Sequence, residues 1–252
     1  MTKGRNLKQL LQSVAQRVLA QNGEKSLYRP LLMGSCDLTS LEAKENLEEA
    51  AEWHAQPEQM LPGARSAVAI FLPYSEKLVA SNRGGKYASR EWAEAYVKTN
   101  TLIRRIGTVV SLTLVASGKK SRLIPPTGVF DREALFADWS HKLIGFLCGL
   151  GRYGLNRMLI TPSGCAGRLV SLVTTQEFET SPRPEGEPCA YLRDKSCSEC
   201  IEACPVSAIS SNGFDAASCF EHCSQNAESF LDLDSAEVCG KCATLRCALG
   251  PA

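Results

Sequence analysis

Apolar positions along the first 188 residues recur at helical and strand periods in alternation. Leu7, Leu10, Leu11, Val14 and Val18 fall on one stripe, which predicts an amphipathic helix over 6–20. A polar Glu/Ala-rich helix is expected near 40–52. The unbroken run Ala67-Val-Ala-Ile-Phe-Leu72 then reads as a buried strand ending at Pro73. Residues 89–116 are periodic, with Ser89 as N-cap and Glu91 in the first turn, and predict one or two helices. Arg122-Leu-Ile124 reads as a short strand. Leu135, Trp139, Leu143, Ile144 and Leu147 are spaced to bury one face of a helix over 131–148. Met158-Leu-Ile160 and Leu169-Val-Ser-Leu-Val173 are expected to pair across the loop between them. Mixed elements of this kind predict an α/β (α+β) fold.

The pattern changes after the segment Glu179-Thr-Ser-Pro-Arg-Pro-Glu-Gly-Glu-Pro188, whose prolines and glycine mark a loop. A domain edge is placed there, dividing the chain into 1–188 and 189–252. The second piece carries too few large apolar residues to build much core of its own, so something besides burial must hold it. The whole chain has 252 residues, enough for one large domain or one with an appendage. Its 28 Lys+Arg against 27 Asp+Glu give no basic field of the kind that binds nucleic acid or anionic membrane. No apolar run approaches the ~20 residues of a membrane span. The basic N-terminal stretch has no apolar core of a secretory signal, so a reducing cytoplasm is the expected compartment.

In such a compartment cysteines point to metal or redox chemistry, and of the 12 here nine lie in 189–252. The strongest motif is Cys197-x2-Cys200-x3-Cys204-Pro205. In two-cluster ferredoxins the cysteine before proline ligates the other cluster. The usual first cysteine is replaced by Asp194, and Cys189 is the available substitute. Crossing the ligands in this way gives Cys189, Cys197, Cys200 and Cys247 for one [4Fe-4S] cluster and Cys204, Cys219, Cys239 and Cys242 for a second. Cys219 and Cys223 lie one turn apart on an expected helix, so either could serve. Paired Cys-x2-Cys turns also build four-thiolate zinc sites; the Cys-Pro ending and the Ala208-Ile209 that follows favour iron–sulfur. Lys195, Lys241 and Arg246 stand beside ligands, either offsetting cluster charge or simply solvated. Cys36, Cys148 and Cys165 read as small buried residues.

Gly149, Gly151 and Gly154 form G-x-G-x-x-G, but after a helix and before a strand, the reverse of a dinucleotide fingerprint. These glycines either admit a large cofactor close to the backbone or end the helix. His141 reads as a packed or capping residue, and His54 and His222 have no partners in the sequence.

Leu61-Pro-Gly-Ala-Arg-Ser66, Gly149-Leu-Gly-x-x-Gly154-x-Asn156, Leu159-Ile-Thr161-x-x-Gly164 and the double-cluster tail together resemble the N-terminal half of epoxyqueuosine reductases. Ile124-Pro-x-Thr127, Trp139-Ser-His141-Lys142 and Cys239-Gly-Lys-Cys242 resemble in particular their short, epoxyqueuosine reductase-like relatives. The resemblance implies a nitroreductase-like α/β domain followed by a bacterial-ferredoxin-like domain with two [4Fe-4S] clusters. It further implies a corrinoid (cobalamin) lined by Gly149, Gly151, Gly154, Asn156, Thr161 and Gly164. The family's lysine in its Gly-Lys-Asn element is Leu155 here. Its acidic proton donor falls near Leu135, with Asp131 and Asp138 out of register, so no catalytic residue is assigned. The expected function is delivery of low-potential electrons to a corrinoid, bound or presented by a partner protein, or to a substrate between the domains. A ferredoxin or flavodoxin would be the donor, and the near-neutral charge argues against tRNA as substrate. The competing expectation is a non-enzymatic ferredoxin-like carrier or reductive activator that docks on a corrinoid protein.

Overall fold

The computed structural model describes residues 2–126, 130–234 and 236–252; Thr127 lies outside the described residues. The chain opens with α1 (Thr2–Ala20), followed by β1 (Leu32–Asp37), α2 (Leu41–Glu49) and α3 (Pro57–Met60). The apolar run becomes β2 (Ser66–Pro73), and two helices follow it, α4 (Glu76–Ser81) and α5 (Arg90–Ala116). Next come β3 (Ser121–Ile124), the hairpin β4 (Phe130–Asp131) and β5 (Phe136–Ala137), and α6 (His141–Leu147). The α/β part closes with β6 (Arg152–Tyr153), β7 (Leu159–Ile160) and β8 (Gly167–Thr174). The cysteine-rich part holds α7 (Ala190–Asp194), α8 (Glu199–Glu202), β9 (Ile209–Ser210), β10 (Gly213–Phe214) and α9 (Ala216–Glu228).

The main sheet runs β1-β2-β8-β3, antiparallel throughout. Every residue of β2 is buried because both its faces are covered. Val68, Ile70 and Leu72 join the core built with α1 and α5; Ala67, Ala69 and Phe71 join a second core with α6. Helix α5 is a single element. Its Ser89 Oγ accepts the Trp92 amide, and Leu102, Ile103, Ile106, Val110 and Leu114 form the buried stripe.

Three readings of the pattern need correction. Leu159–Ile160 does not pair with the run after it: β7 pairs with β6, and β8 lies between β2 and β3. The helix expected over 131–148 begins only at His141, with Ser140 as cap. Upstream, Asp131 Oδ1 accepts the amides of Glu133 and Ala134, and Leu135 takes a φ of 58°, so the chain turns into a hairpin instead. Strand β1 was not read at all. Its Gly34 passes so close to α6 that a Cβ would lie 2.1 Å from the Cys148 carbonyl oxygen.

The segment from 189 onward has few large apolar residues, and its Phe230, Val238 and small Ala248 bury themselves in the α1/α5 core. Backbone bonds run from Cys165 N to Cys247 O (3.0 Å) and from Ala166 N to Ala248 O (3.1 Å). The tail is thus laid along the strand that leads into the sheet. No helix among the described residues is long and apolar enough to cross a membrane.

Candidate functional site

Short helices and turns present the tail cysteines. Cys189 caps α7, whose end at Lys195 takes a φ of 63° and turns the chain toward Cys197. Cys200 sits on α8. Cys204 follows it, its Sγ accepting the Ala208 amide at 3.1 Å. Cys219 and Cys223 lie on α9, and Cys239 and Cys242 flank Gly240, which has a φ of 74°.

The thiols gather around two spaces. Cys189, Cys197, Cys200 and Cys247 line a narrow one of about 20 Å³ together with Asn156 and Tyr191. Cys204, Cys219, Cys223, Cys239 and Cys242 line a larger one of about 250 Å³. Among the described residues, no three His, Cys, Asp or Glu side chains converge as they would on one metal ion. The sulfurs border spaces instead of meeting at a point. In number and kind each set supplies the thiol donors of a cubane iron–sulfur group. Cys165, from the α/β part, borders the larger space, and its Sγ is 3.7 Å from Cys247 Sγ of the other set. Cys36 and Cys148 are buried elsewhere, against β2.

Electrostatics follow the same grouping. Burial, then Cys247, Cys189 and Cys197, push the Cys200 thiol up to about 11. Burial, then Cys239 and Cys219, push Cys242 up. The hydrogen bond from Cys223 holds Cys219 down, to about 7, and holds Cys223 itself up. Burial lowers the Lys142 amine, opposed by nearby Cys242 and Cys219.

The tail is fastened by polar groups that sequence spacing does not pair. Lys241, nearly fully buried, donates to the Asn82 carbonyl and Oδ1 (both 3.1 Å) and to the Gly84 carbonyl (2.7 Å). It is therefore a structural tie, not a solvated charge. Asn82 Nδ2 donates to Cys239 O (2.9 Å), and Arg29 donates to the carbonyls of Leu249 and Ser163. Lys195 lies over the Tyr191 ring, and the Arg246 amide donates to Glu199.

The six positions expected to line a corrinoid make internal contacts. Asn156 is buried between the two thiol sets, donating to Cys242 O at 2.9 Å with Cys165 and Cys247 Sγ each 3.9 Å away. Gly149 ends α6, and a Cβ there would stand 2.3 Å from Ser181 O. Gly151 lies against Ile160 O, Gly154 against the Ile160 side chain, and Gly164 against Ala248 O. Thr161 Oγ1 donates to Gly164 O. Gly151 and Thr161 border a cavity of about 270 Å³. That is below the ~300–1,000 Å³ range of pockets for drug-sized ligands, and a corrinoid is larger still. As placed, these residues do not fit a corrinoid.

His141 is packed, as its sequence context suggested. Its Nε2–H donates to Pro125 O (2.9 Å) and its Nδ1 accepts from Ser171 Oγ (2.7 Å), which also accepts Trp139 Nε1–H. His54 is buried against Trp139. His222 borders the larger thiol cavity, as do Tyr74 and Trp92 of the α/β part. The sequence offers no signal for the latter two beyond their aromatic character.

No protein-family model matches the chain. It is 28% identical over 167 residues to epoxyqueuosine reductase of Staphylococcus aureus, covering 63% of this chain and 39% of that protein. It is 27% identical over 186 residues to epoxyqueuosine reductase of Bacillus cereus, covering 71% and 45%. The chain thus spans less than half the length of these relatives. Its fold is similar to that of a selenomethionine-labelled epoxyqueuosine reductase, with a TM-score of 0.59 and 17% identity over 94% of this chain and 65% of the other. It is also similar to a reductive dehalogenase described in connection with B12-dependent dehalogenation, with a TM-score of 0.52 and 16% identity over 75% of this chain and 26% of that one.

Proposed function

From a chain that is epoxyqueuosine reductase-like in sequence and fold, we propose an iron–sulfur oxidoreductase holding two [4Fe-4S] clusters. Cys189, Cys197, Cys200 and Cys247 would hold one, and Cys204, Cys219, Cys239 and Cys242 the other. When bound, such clusters supply single electrons at low potential.

The observation that carries this reading is the sorting of the tail thiols onto two adjacent spaces, each with at least four, in the interleaved order that the motif predicts. The chain's own residues do the rest. Asn156 ties the Cys242 backbone to the Cys247 sulfur and so fixes one set against the other. Lys241 and Asn82 hold the Cys239–Cys242 turn on the α/β part, and Lys142 brings positive charge toward Cys242 and Cys219. Tyr74, Trp92 and Val238 contribute to the wall of the larger space.

The electron acceptor proposed is a corrinoid presented by a partner, or a substrate between the two parts of the chain, with a ferredoxin or flavodoxin as donor. The B12-dependent dehalogenase with the same fold supports the corrinoid. The misfit of the glycine-rich positions argues against a resident one at those residues. A formal charge of +1 supports an acceptor other than tRNA.

The test is single-turnover transfer: anoxically prepared, cluster-loaded and reduced protein is mixed with cob(II)alamin in a stopped-flow cell. Cluster absorbance should recover as the corrinoid band shifts to the reduced form. Reduced clusters that persist unchanged beside the corrinoid would overturn corrinoid delivery.

A further inference from the structure

Two residues that border the larger thiol cavity carry a buried polar atom with no hydrogen-bond partner among the described residues: Trp92 Nε1 and His222 Nδ1. Buried polar groups are almost always paired, so two unpaired ones around one space call for an occupant. Their chemistry differs. His222 gives its Nε2–H to the Lys86 carbonyl at 3.0 Å, leaving Nδ1 as a lone-pair acceptor. An indole N–H can only donate, so Trp92 requires an acceptor.

Trp92 is also firmly placed. Its side chain is 4% exposed, it stands edge-on to Tyr74 with ring centroids 5.0 Å apart, and its amide is capped by Ser89 Oγ. Its indole edge lies against the cysteine turn: a Cβ on Gly240 would fall 2.5 Å from Trp92 Nε1. Gly240 therefore serves twice, through its positive φ and by leaving room for the indole between Cys239 and Cys242.

We propose that the Trp92 indole N–H donates a hydrogen bond to a sulfur of the iron–sulfur cluster in the larger cavity. A helix of the α/β part would then set that cluster's reduction potential from outside the cysteine-rich segment. The proposal rests on the two-cluster reading above and adds a positioning residue to it. An N–H donated to sulfur stabilises the more negative, reduced state, so the bond raises the potential.

The experiment uses the full chain labelled with indole-¹⁵N tryptophan, loaded anoxically and reduced. Pulsed electron paramagnetic resonance should show ¹⁵N coupling to one cluster. Trp92→Phe keeps the ring and removes the donor. It should retain the wild-type iron content, lose the ¹⁵N coupling and shift one potential to more negative values while the other stays put. An unshifted pair of potentials in iron-replete Trp92→Phe overturns the proposal. If that variant fails to load iron, the labelled wild type still decides, because absence of any ¹⁵N coupling there overturns it. Wild-type protein that takes up no iron at all sinks the two-cluster reading instead, and is recognised by metal analysis before any spectrum is taken.

Discussion

Cys219 and Cys223 occupy one face of α9 and both border the larger cavity, so substitution separates their roles. Cys223→Ala should leave iron at the wild-type level, whereas Cys219→Ala should lose about half of it, as one cluster of two; colorimetric iron assay distinguishes them. The reverse result would exchange the two ligands. The grouping of the tail cysteines could be read from sequence because short, fixed spacings along the chain keep thiols near one another. Trp92, Asn82 and Asn156 could not be read in this way. They act on Gly240, Lys241 and Cys242 from 86 or more residues away in the chain, and only the fold brings them there. The glycines were legible as points of close approach or helix ends, but their neighbours were not: Gly149, Gly151 and Gly164 lie against backbone carbonyls and Gly154 against the Ile160 side chain.

At the scale of elements, the long periodic or continuously apolar stretches were legible. Helix α5 and strand β2 emerge almost as the pattern predicts, because each buries a face or two against the same core. Two-residue strands and the β4–β5 hairpin were not, since a single Asp131 side chain redirects the backbone where periodicity still suggests helix. The joint between β7 and β8 is the element on which tail docking depends. Gly164 sits there with a φ of 75°, and a Cβ would lie 2.2 Å from Ala248 O. Gly164→Ala should therefore cost more than the about 1 kcal/mol of an ordinary glycine replacement. It should also lower iron content by pushing Cys247 away from its set. Urea denaturation and iron assay check the two effects. Unchanged values in both would show that the tail does not dock through this contact.

For the molecule as a whole, composition separates residues 1–188 from 189–252, but packing joins them. Tail side chains enter the α1/α5 core, and Lys241, Arg29 and Asn82 cross the joint. Stability against pH carries one clear contribution from the α/β part. Burial, then the charges of Arg168 and His54, lower His141 to about 4 against the Pro125 hydrogen bond that raises it. The unfolded chain binds that proton near 6.5, so between about pH 6.5 and 4 it holds more protons than the folded one. Stability contributed by neutral His141 is thus full above pH 6.5 and is lost as pH falls toward 4. His141→Gln should flatten the decline of melting temperature across that window; an unaltered slope would assign the proton uptake elsewhere.

The central claim is that two iron–sulfur clusters organise the tail and supply the electrons. Iron and acid-labile sulfide analysis of anoxically purified protein tests it most directly. The account predicts brown protein with about eight irons and about eight sulfides per chain. Colourless protein, with zinc or no metal in place of iron and no sulfide, would contradict it.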